Sequence, residues 1–400
     1  MKAYPPINTT SSSINLVVGA GNLPNITNLP FGNGTNVTRG RAAPNQVADE
    51  ETFWSAVGLY YRFGQKVVDA GGFVFGYIYP RGNGTFTFSS SQDMVGMTPQ
   101  EAHEFMQPLY DGLRELGINL TSPVPRSSSR YGRGGRSGGG DQPNQTRYRS
   151  RLLPRRNWLD DDLWNQTMRA IRRSIEEAGP AYNFHHTMAA PTSKVAGWPG
   201  VDSAVNPAWR NNVMHAMLME KQALGLTAEQ ARAKDQQAKK LTDYWRAVSP
   251  GSGAYMNEGD PAEPNWQQSF YGGLYPRLLE IKKLWDPWGL FWASTTVGSE
   301  AWEVRTEDGY PHSQNGWLCR VPGLSSEEEE EEAENETPVG DSGKSTGGSG
   351  AGGSGEYEEG EDGEWDGEDD EGDYEYGDGG AWDEDEEEDG DGGGWGGWGN

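Results

Sequence analysis

The sequence is poor in cysteine and histidine, and it has no long apolar run. Cys319 is the only cysteine among 400 residues, so no disulfide can form within the chain, and Cys319 either pairs with a cysteine elsewhere or is a plain buried thiol. The chain has five histidines and no cysteine pair, so its sequence does not favour a zinc site. No apolar run approaches the roughly 18 residues of a membrane helix. We therefore expect no metal centre and no membrane span.

The chain also lacks an overall excess of basic residues. Its net charge of -27 comes from the C-terminal tail: from Ser325 onward there are 31 acidic residues and one lysine, which leaves residues 1–324 with 32 basic and 29 acidic residues. This near-neutral body gives no reason to expect nucleic acid as a partner. The tail, residues 325–400, has too little apolar surface to offset its ordering entropy, so we predict disorder, with weak partner or cation binding as the alternative.

The body of the chain predicts an α+β fold, with a mostly antiparallel sheet layered with helices. The turn at Asn83-Gly84 joins two strands, which is a hairpin signal. An interval rich in Gly, Ser and Arg, residues 127–147, predicts a flexible surface loop that could bind an anion or the acidic tail. Strands are predicted near residues 14–18, 73–79, 85–89 and 182–188. Helices are predicted at residues 50–68, 98–116, 160–177, 206–224, 227–248 and 266–285.

Two predicted strands carry side chains that could line a pocket. The strand at 73–79 is aromatic at every second position, so Tyr77 and Tyr79 share one face. Such a face is typical of sheet core, with substrate contact as the alternative. His185 and His186 point to opposite faces of their strand and cannot easily share a metal ion. We name His186 as a candidate substrate contact, with plain packing as the alternative.

The segment that begins at Tyr255 combines a phenol, a carboxamide and carboxylates where a core strand would carry Val and Ile. If the segment is extended, Tyr255 and Asn257 project from the same face. Unpaired polar groups are costly to bury, so this face predicts contact with a flat polar ligand. Glu258 and Asp260 supply the carboxylates.

The same segment resembles the C-terminal berberine-like segment of the FAD-linked oxidases of the p-cresol methylhydroxylase type, in their fungal secreted branch. Tyr255, Asn257 and Asp260 match the pattern Tyr-x-Asn-Tyr-x-Asp of the plant members, and Glu258 replaces the second tyrosine. The similarity covers most of residues 1–321. Further matching pieces are Ser150–Arg155, Asn206–Arg210, Tyr275–Lys282, Asp286-Pro287, Phe291-Trp292, Val297–Val304 and Leu318–Arg320.

The resemblance implies FAD as the cofactor and a small molecule as the substrate. It implies that the segment lies beside the flavin ring, with Asn257 and Asp260 as cofactor-binding residues. Glu258 is the candidate base that takes a proton from a substrate hydroxyl, and Tyr255 orients the substrate. Because the family uses a tyrosine at the position of Glu258, a purely structural carboxylate is the alternative there.

The resemblance also divides the chain. Residues 1–6 look like a remnant of the FAD-binding domain, residues 7–249 like the substrate-binding domain, and residues 250–321 like the berberine-like segment. The Gly-rich phosphate loop and the flavin-linked histidine of the family are not seen in the sequence. We therefore expect the FAD-binding domain to be missing from this chain, and the chain to be inactive alone.

Glycosylation signals indicate the secretory pathway. Chance predicts about three Asn-x-Ser/Thr sequons in such a composition. Nine are present, at Asn8, Asn25, Asn33, Asn36, Asn83, Asn119, Asn144, Asn165 and Asn335. No signal peptide is visible, so we expect secretion of a full-length parent. The alternatives are a non-catalytic glycoprotein that binds carbohydrate through its aromatic faces, and an inert product that does not fold alone.

Overall fold

The computed structural model describes residues 8–19, 44–120, 126–129, 146–196, 203–221 and 225–322. The predicted remnant at residues 1–6, the tail at residues 325–400 and the middle of the Gly/Ser/Arg-rich interval lie outside these ranges. None of the helices in these ranges is long and apolar enough to cross a membrane. The same ranges contain no group of three or more His, Cys, Asp or Glu side chains placed to hold a metal ion.

Helices and strands follow the chain in a mixed order. The α-helices are α1 (Glu50–Asp69), α2 (Pro99–Glu115), α3 (Arg156–Leu159), α4 (Asp161–Ala178), α5 (Ser193–Ala196), α6 (Ala228–Val248) and α7 (Tyr275–Trp285). The strands are β1 (Asn8–Val18), β2 (Asn45–Gln46), β3 (Phe73–Gly82), β4 (Thr85–Val95), β5 (Arg126–Ser129), β6 (Thr146–Pro154), β7 (Tyr182–Met188), β8 (Asn212–Lys221), β9 (Trp302–Arg305) and β10 (Trp317–Arg320).

One large sheet organises the fold. Its strands run in the order β2-β1-β4-β3-β7-β8-β6, with β5 paired to β1, and β9 and β10 form a separate hairpin. All neighbours pair antiparallel except β1 and β2. The predicted α+β class and the mostly antiparallel sheet are confirmed.

The main core lies between one face of the sheet and the long helices. Helix α1 begins at Asp49, whose side chain accepts from the Thr52 backbone N–H, and Thr98 and Glu101 form the predicted capping box at the start of α2. The apolar stripes of these helices pack on alternate residues of β3 and β4. The buried side chains of this layer include Phe53, Val57, Tyr60, Val74, Ile78, Phe88, Met106 and Trp245.

Two of the predicted helices need correction. The stretch predicted as a helix from residue 206 is a short 3-10 turn, Pro207–Asn211, followed by strand β8. Strand β8 is buried on both faces, so it is apolar without clear alternation and resembles a buried helix in sequence. The predicted helix 266–285 is interrupted at Gly272, which has φ 62°, and only α7 continues as a regular α-helix.

Pairing also accounts for the ends of the Gly/Ser/Arg-rich interval. Residues 126–129 form β5 against β1, and residues 146 and 147 belong to β6, which pairs with β8. Backbone hydrogen bonding to existing strands outweighs the low strand propensity of these residues.

The segment after α6 runs along the free edge of β6. The Leu152 backbone N–H donates to the Gly253 carbonyl at 2.8 Å, and the Ser252 hydroxyl donates to the Leu152 carbonyl at 2.6 Å. The Tyr255 backbone N–H donates to the Ser150 hydroxyl at 3.2 Å. These contacts fix where Tyr255 and the residues after it lie relative to the sheet.

Candidate active site on the open sheet face

The face of the sheet opposite the main core carries polar and aromatic side chains. We call it the open face and define it by Phe75, Tyr77 and Tyr79 of β3, His185 of β7 and His215 of β8. In β3 the residues alternate between buried Val74 and Ile78 on the helix side and partly exposed aromatic rings on this side. Strand alternation therefore produces a face whose rings are available to a ligand.

The open face contains a stacked group of rings. The Tyr77 ring lies 4.4 Å from the His185 ring at an interplanar angle of 16°, and 5.4 Å from the Tyr79 ring at 19°. The Phe75 ring meets the His185 ring edge-on at 4.6 Å. The structure thus brings Tyr77 and Tyr79 together, as the sequence predicts. It adds His185, which the sequence did not indicate as a candidate substrate contact.

His186 lies on the other face of β7 and is not part of this group. It is fully buried, with Nδ1 3.0 Å from the Tyr61 hydroxyl and Nε2 2.9 Å from the Ser90 hydroxyl. Burial holds its pKa well below the usual value, so the imidazole is neutral. The structure therefore places this candidate substrate contact in the core, where both ring nitrogens already have partners.

A second group lies where β8 meets the C-terminal segment. His215 Nδ1 is 3.6 Å from Glu258 Oε2. The rings of Trp209 and Tyr255 lie 5.5 and 5.8 Å from the His215 ring, and 5.5 Å from each other. The structure brings together the predicted catalytic pair, Tyr255 and Glu258, around a histidine that the sequence did not single out.

The segment that holds Tyr255 and Asn257 is a turn and not a strand. Met256–Glu258 form one 3-10 turn, and the Asn257 side-chain amide donates to the Tyr255 hydroxyl at 3.0 Å. The two side chains are thus close, though for a different reason than the one predicted from strand spacing. Asn257 is exposed, so its remaining hydrogen-bonding groups are available to a ligand.

Asp260 is buried in an ion-pair cluster and does not reach the open face. Its exposed fraction is 2%, and its Oδ2 lies 3.0 Å from Arg149 Nε. Arg149 also contacts Glu220 at 3.1 Å and Asp235 at 2.8 Å. The structure therefore places Asp260, a predicted cofactor-binding residue, in an ion pair with Arg149. Its carboxylate anchors the segment to β6.

The two histidines of the open face are neutral and each has one unpaired nitrogen. Burial lowers the pKa of His185 to about 4 and that of His215 to about 3. The Nε2 atoms of both rings are buried without a hydrogen-bond partner among the described residues. Buried polar atoms without a partner are uncommon in folded proteins, so these two histidines mark this part of the sheet as the candidate site.

Comparison with known proteins shows which family the chain resembles. Residues 254–298 match the family model described as berberine and berberine like. The chain is 31% identical over 278 residues to the FAD-linked oxidoreductase patO of Aspergillus clavatus, which covers 68% of this chain and 45% of that protein. It is 29% identical over 279 residues to a VAO-type flavoprotein oxidase of Thermothelomyces thermophilus, with the same two coverages of 68% and 45%. The chain spans about half the length of these curated relatives.

Solved structures show the same fold. A VAO-type flavoprotein of Myceliophthora thermophila superimposes with a TM-score of 0.58 at 23% identity, over 79% of this chain and 50% of that one. A second flavoprotein of that organism gives a TM-score of 0.58 at 18% identity, over 80% of this chain and 52% of that one. By homology, the chain is related to the FAD-linked oxidoreductases of the VAO type that carry a berberine-like C-terminal segment. This confirms the resemblance seen in the sequence.

Proposed function

We propose that this chain is the substrate-binding portion of an FAD-dependent oxidoreductase. The substrate is a small hydroxyl-bearing molecule, an alcohol, a sugar or a secondary metabolite, and oxygen is the final electron acceptor. The observation that carries the proposal is the open face, where stacked Tyr77 and His185 lie in the same sheet as His215, which contacts the Glu258 carboxylate. Rings that bind a flat molecule and a group that accepts a proton are what such an oxidation requires of the protein.

Each residue of the site has a distinct part in this proposal. Bound FAD supplies the two-electron chemistry. Tyr77 and Tyr79 contact the substrate through their ring faces, and Tyr255 orients its hydroxyl group. Glu258 takes the hydroxyl proton, since it is the carboxylate beside the open face and its side chain is 37% exposed. The exposed amide of Asn257 is placed to bond a polar edge of the flavin.

A flavin-binding partner is the second element of the proposal. The C-terminal apolar surface, which we define as Leu284, Trp285, Trp288, Leu290, Phe291 and Trp317, consists of side chains exposed by 69–82%. Large apolar side chains exposed in this number are typical of an interface. We propose that an FAD-binding portion, supplied by polypeptide other than the residues described, covers this surface and presents FAD to the site.

Flavin retention tests the proposed function. The chain is purified alone and after co-expression with the FAD-binding half of a VAO-type relative, and flavin absorbance is measured after gel filtration. We expect no flavin on the chain alone and a yellow complex after co-expression. Glu258→Gln should keep the flavin but lose alcohol-dependent flavin reduction by about 100-fold or more. A folded chain that retains no flavin in either preparation contradicts the proposal.

Carbohydrate binding without catalysis is the second candidate. It is favoured by the partly exposed rings of β3, because aromatic faces are good platforms for sugars. Glycan binding by the chain alone that is weakened by Tyr77→Ala and unchanged by Glu258→Gln would support this function over oxidation.

We also propose that the protein enters the secretory pathway. Three sequon asparagines within the described ranges, Asn83, Asn119 and Asn165, are exposed, and Asn83 lies in the turn between β3 and β4. Exposed acceptors on a turn are accessible to glycosylation in the secretory pathway. Expression behind a heterologous signal peptide followed by endoglycosidase treatment should give a stepwise loss of mass. No change in mass would count against a secretory origin.

A further inference from the structure

The two ring nitrogens of His215 have different surroundings. Nδ1 faces Glu258 Oε2 at 3.6 Å, whereas Nε2 is buried with no hydrogen-bond partner in the described part of the chain. The residue lies in β8, paired on both sides by β6 and β7, and its exposed fraction is 3%. Trp209 and Tyr255 flank the ring and limit how it can turn. The imidazole ring is therefore held in one orientation.

The surroundings of the two nitrogens favour the tautomer with its hydrogen on Nδ1. A neutral imidazole carries a single N–H, and burial keeps His215 neutral by lowering its pKa to about 3. A hydrogen on Nε2 would be a buried donor without an acceptor, which proteins tolerate less well than a buried acceptor without a donor. A hydrogen on Nδ1 faces a carboxylate. The Nδ1–Oε2 distance exceeds that of a hydrogen bond by a few tenths of an ångström.

We propose that His215 is a positioning residue whose Nδ1–H holds the Glu258 carboxylate in the orientation that receives a substrate hydroxyl proton. The inference rests on the proposed function. In the step it serves, the substrate O–H bond breaks and its proton goes to a Glu258 oxygen. A bound FAD would supply the two-electron oxidation, accepting the hydride of the carbinol carbon so that the product is the carbonyl compound.

A neutral donor suits this role better than a cation. An arginine or lysine beside Glu258 would stabilise the carboxylate so strongly that it became a weak base. The titratable groups near His215 in the described part of the chain include Glu258 and Tyr255 of the C-terminal segment and His185 of β7. Burial keeps His185 neutral too, since its pKa is about 4. The two histidines thus add no positive charge of their own beside Glu258.

The tautomer is measured directly on the full chain with ¹⁵N-labelled histidine. Long-range ¹H–¹⁵N spectra distinguish a hydrogen on Nδ1 from one on Nε2, and the His215 signals are assigned by their absence in His215→Asn. We expect Nδ1–H with a bare Nε2 near neutral pH, and a shifted Nδ1 signal in Glu258→Gln. An Nε2–H form, or a doubly protonated ring, overturns the inference.

Two substitutions then separate positioning from packing. His215→Asn keeps an amide donor near the place of Nδ1, whereas His215→Phe keeps a ring and removes the donor. Carboxyl ¹³C titration should show the Glu258 midpoint unchanged in the asparagine variant and raised by about one pH unit in the phenylalanine variant. Glu101, in the capping box of α2, is the internal reference whose midpoint stays constant.

Equal midpoints in the two variants overturn the inference. If His215→Phe does not fold, the Nδ1 shift in Glu258→Gln decides the question alone. None of these measurements needs flavin or substrate. Failure of flavin retention would therefore contradict the proposed function without contradicting the His215–Glu258 interaction. A hydrogen on Nε2 would contradict that interaction without contradicting the proposed function.

Discussion

Arg149 is expected to be the main anchor of the C-terminal segment. Its guanidinium is 1% exposed and contacts three carboxylates, Asp260 at 3.0 Å, Glu220 at 3.1 Å and Asp235 at 2.8 Å. Replacing it by methionine keeps most of the side-chain volume and removes the charge. The three carboxylates then lie close together, two of them deeply buried, without their shared cation.

The expected loss is large. Breaking a buried ion pair from one side costs about 3–5 kcal/mol. With an unfolding entropy near 2.1 cal/mol/K per residue, the roughly 260 residues that the structure describes lose about 1.8 °C of Tm per kcal/mol, so Arg149→Met should lower Tm by about 5–9 °C. Asp260→Asn should cost less, about 1.5–3 kcal/mol, because Arg149 keeps two other carboxylates.

Thermal unfolding of the full chain, followed by circular dichroism, measures these losses. Arg114→Met is the matched control, since Arg114 pairs with Asp111 on the surface of α2 and exposed pairs contribute at most about 1 kcal/mol. If Arg149→Met lowers Tm no more than Arg114→Met does, the buried cluster does not anchor the segment and the argument is wrong.

Three further predictions follow from local geometry. Gly272→Ala should destabilise the chain by about 1–3 kcal/mol, because φ 62° and ψ −151° form a backbone conformation that is essentially restricted to glycine. Chemical denaturation measures this loss, and an unchanged free energy of unfolding would contradict the prediction. Burial lowers the pKa of His185 to about 4 and of His215 to about 3, from 6.5, so the unfolded chain binds these protons at higher pH than the folded chain. Tm should therefore be highest above the unfolded value and fall as pH drops from 6.5 towards 4, and His215→Asn should reduce that fall. The double substitution Trp285→Ser and Trp288→Ser should lower the concentration-dependent light scattering of the chain. Tm should change little, since both rings are exposed. Unchanged scattering would argue against self-association through the C-terminal apolar surface.

Local signals were sufficient to predict much of the fold. The capping box at Thr98 and the helical spacing after Glu50 are properties of neighbouring residues, and both helices are found as predicted. The prediction of a helix at β8 was wrong because a strand buried on both faces lacks the alternation that identifies a half-exposed strand. That error also hid His215, which lies within it.

The site was harder to predict than the fold. Tyr255 and Glu258 come together as expected, but through a 3-10 turn. Asp260 matches the family pattern in sequence, yet its partner Arg149 lies 111 residues away, and only the folded chain shows that this carboxylate is committed to an ion pair. Contacts between residues so far apart leave no trace in one sequence.

The central claim of the proposed function is that the open face of the sheet binds the substrate beside the flavin. In the complex with an FAD-binding half, Tyr77→Trp places a strong quencher on the open face, whereas Tyr244→Trp places one on α6, in the helix layer. We predict that Tyr77→Trp quenches flavin fluorescence and shifts the flavin absorption bands, and that Tyr244→Trp does neither. Equal spectra for the two variants would contradict the claim.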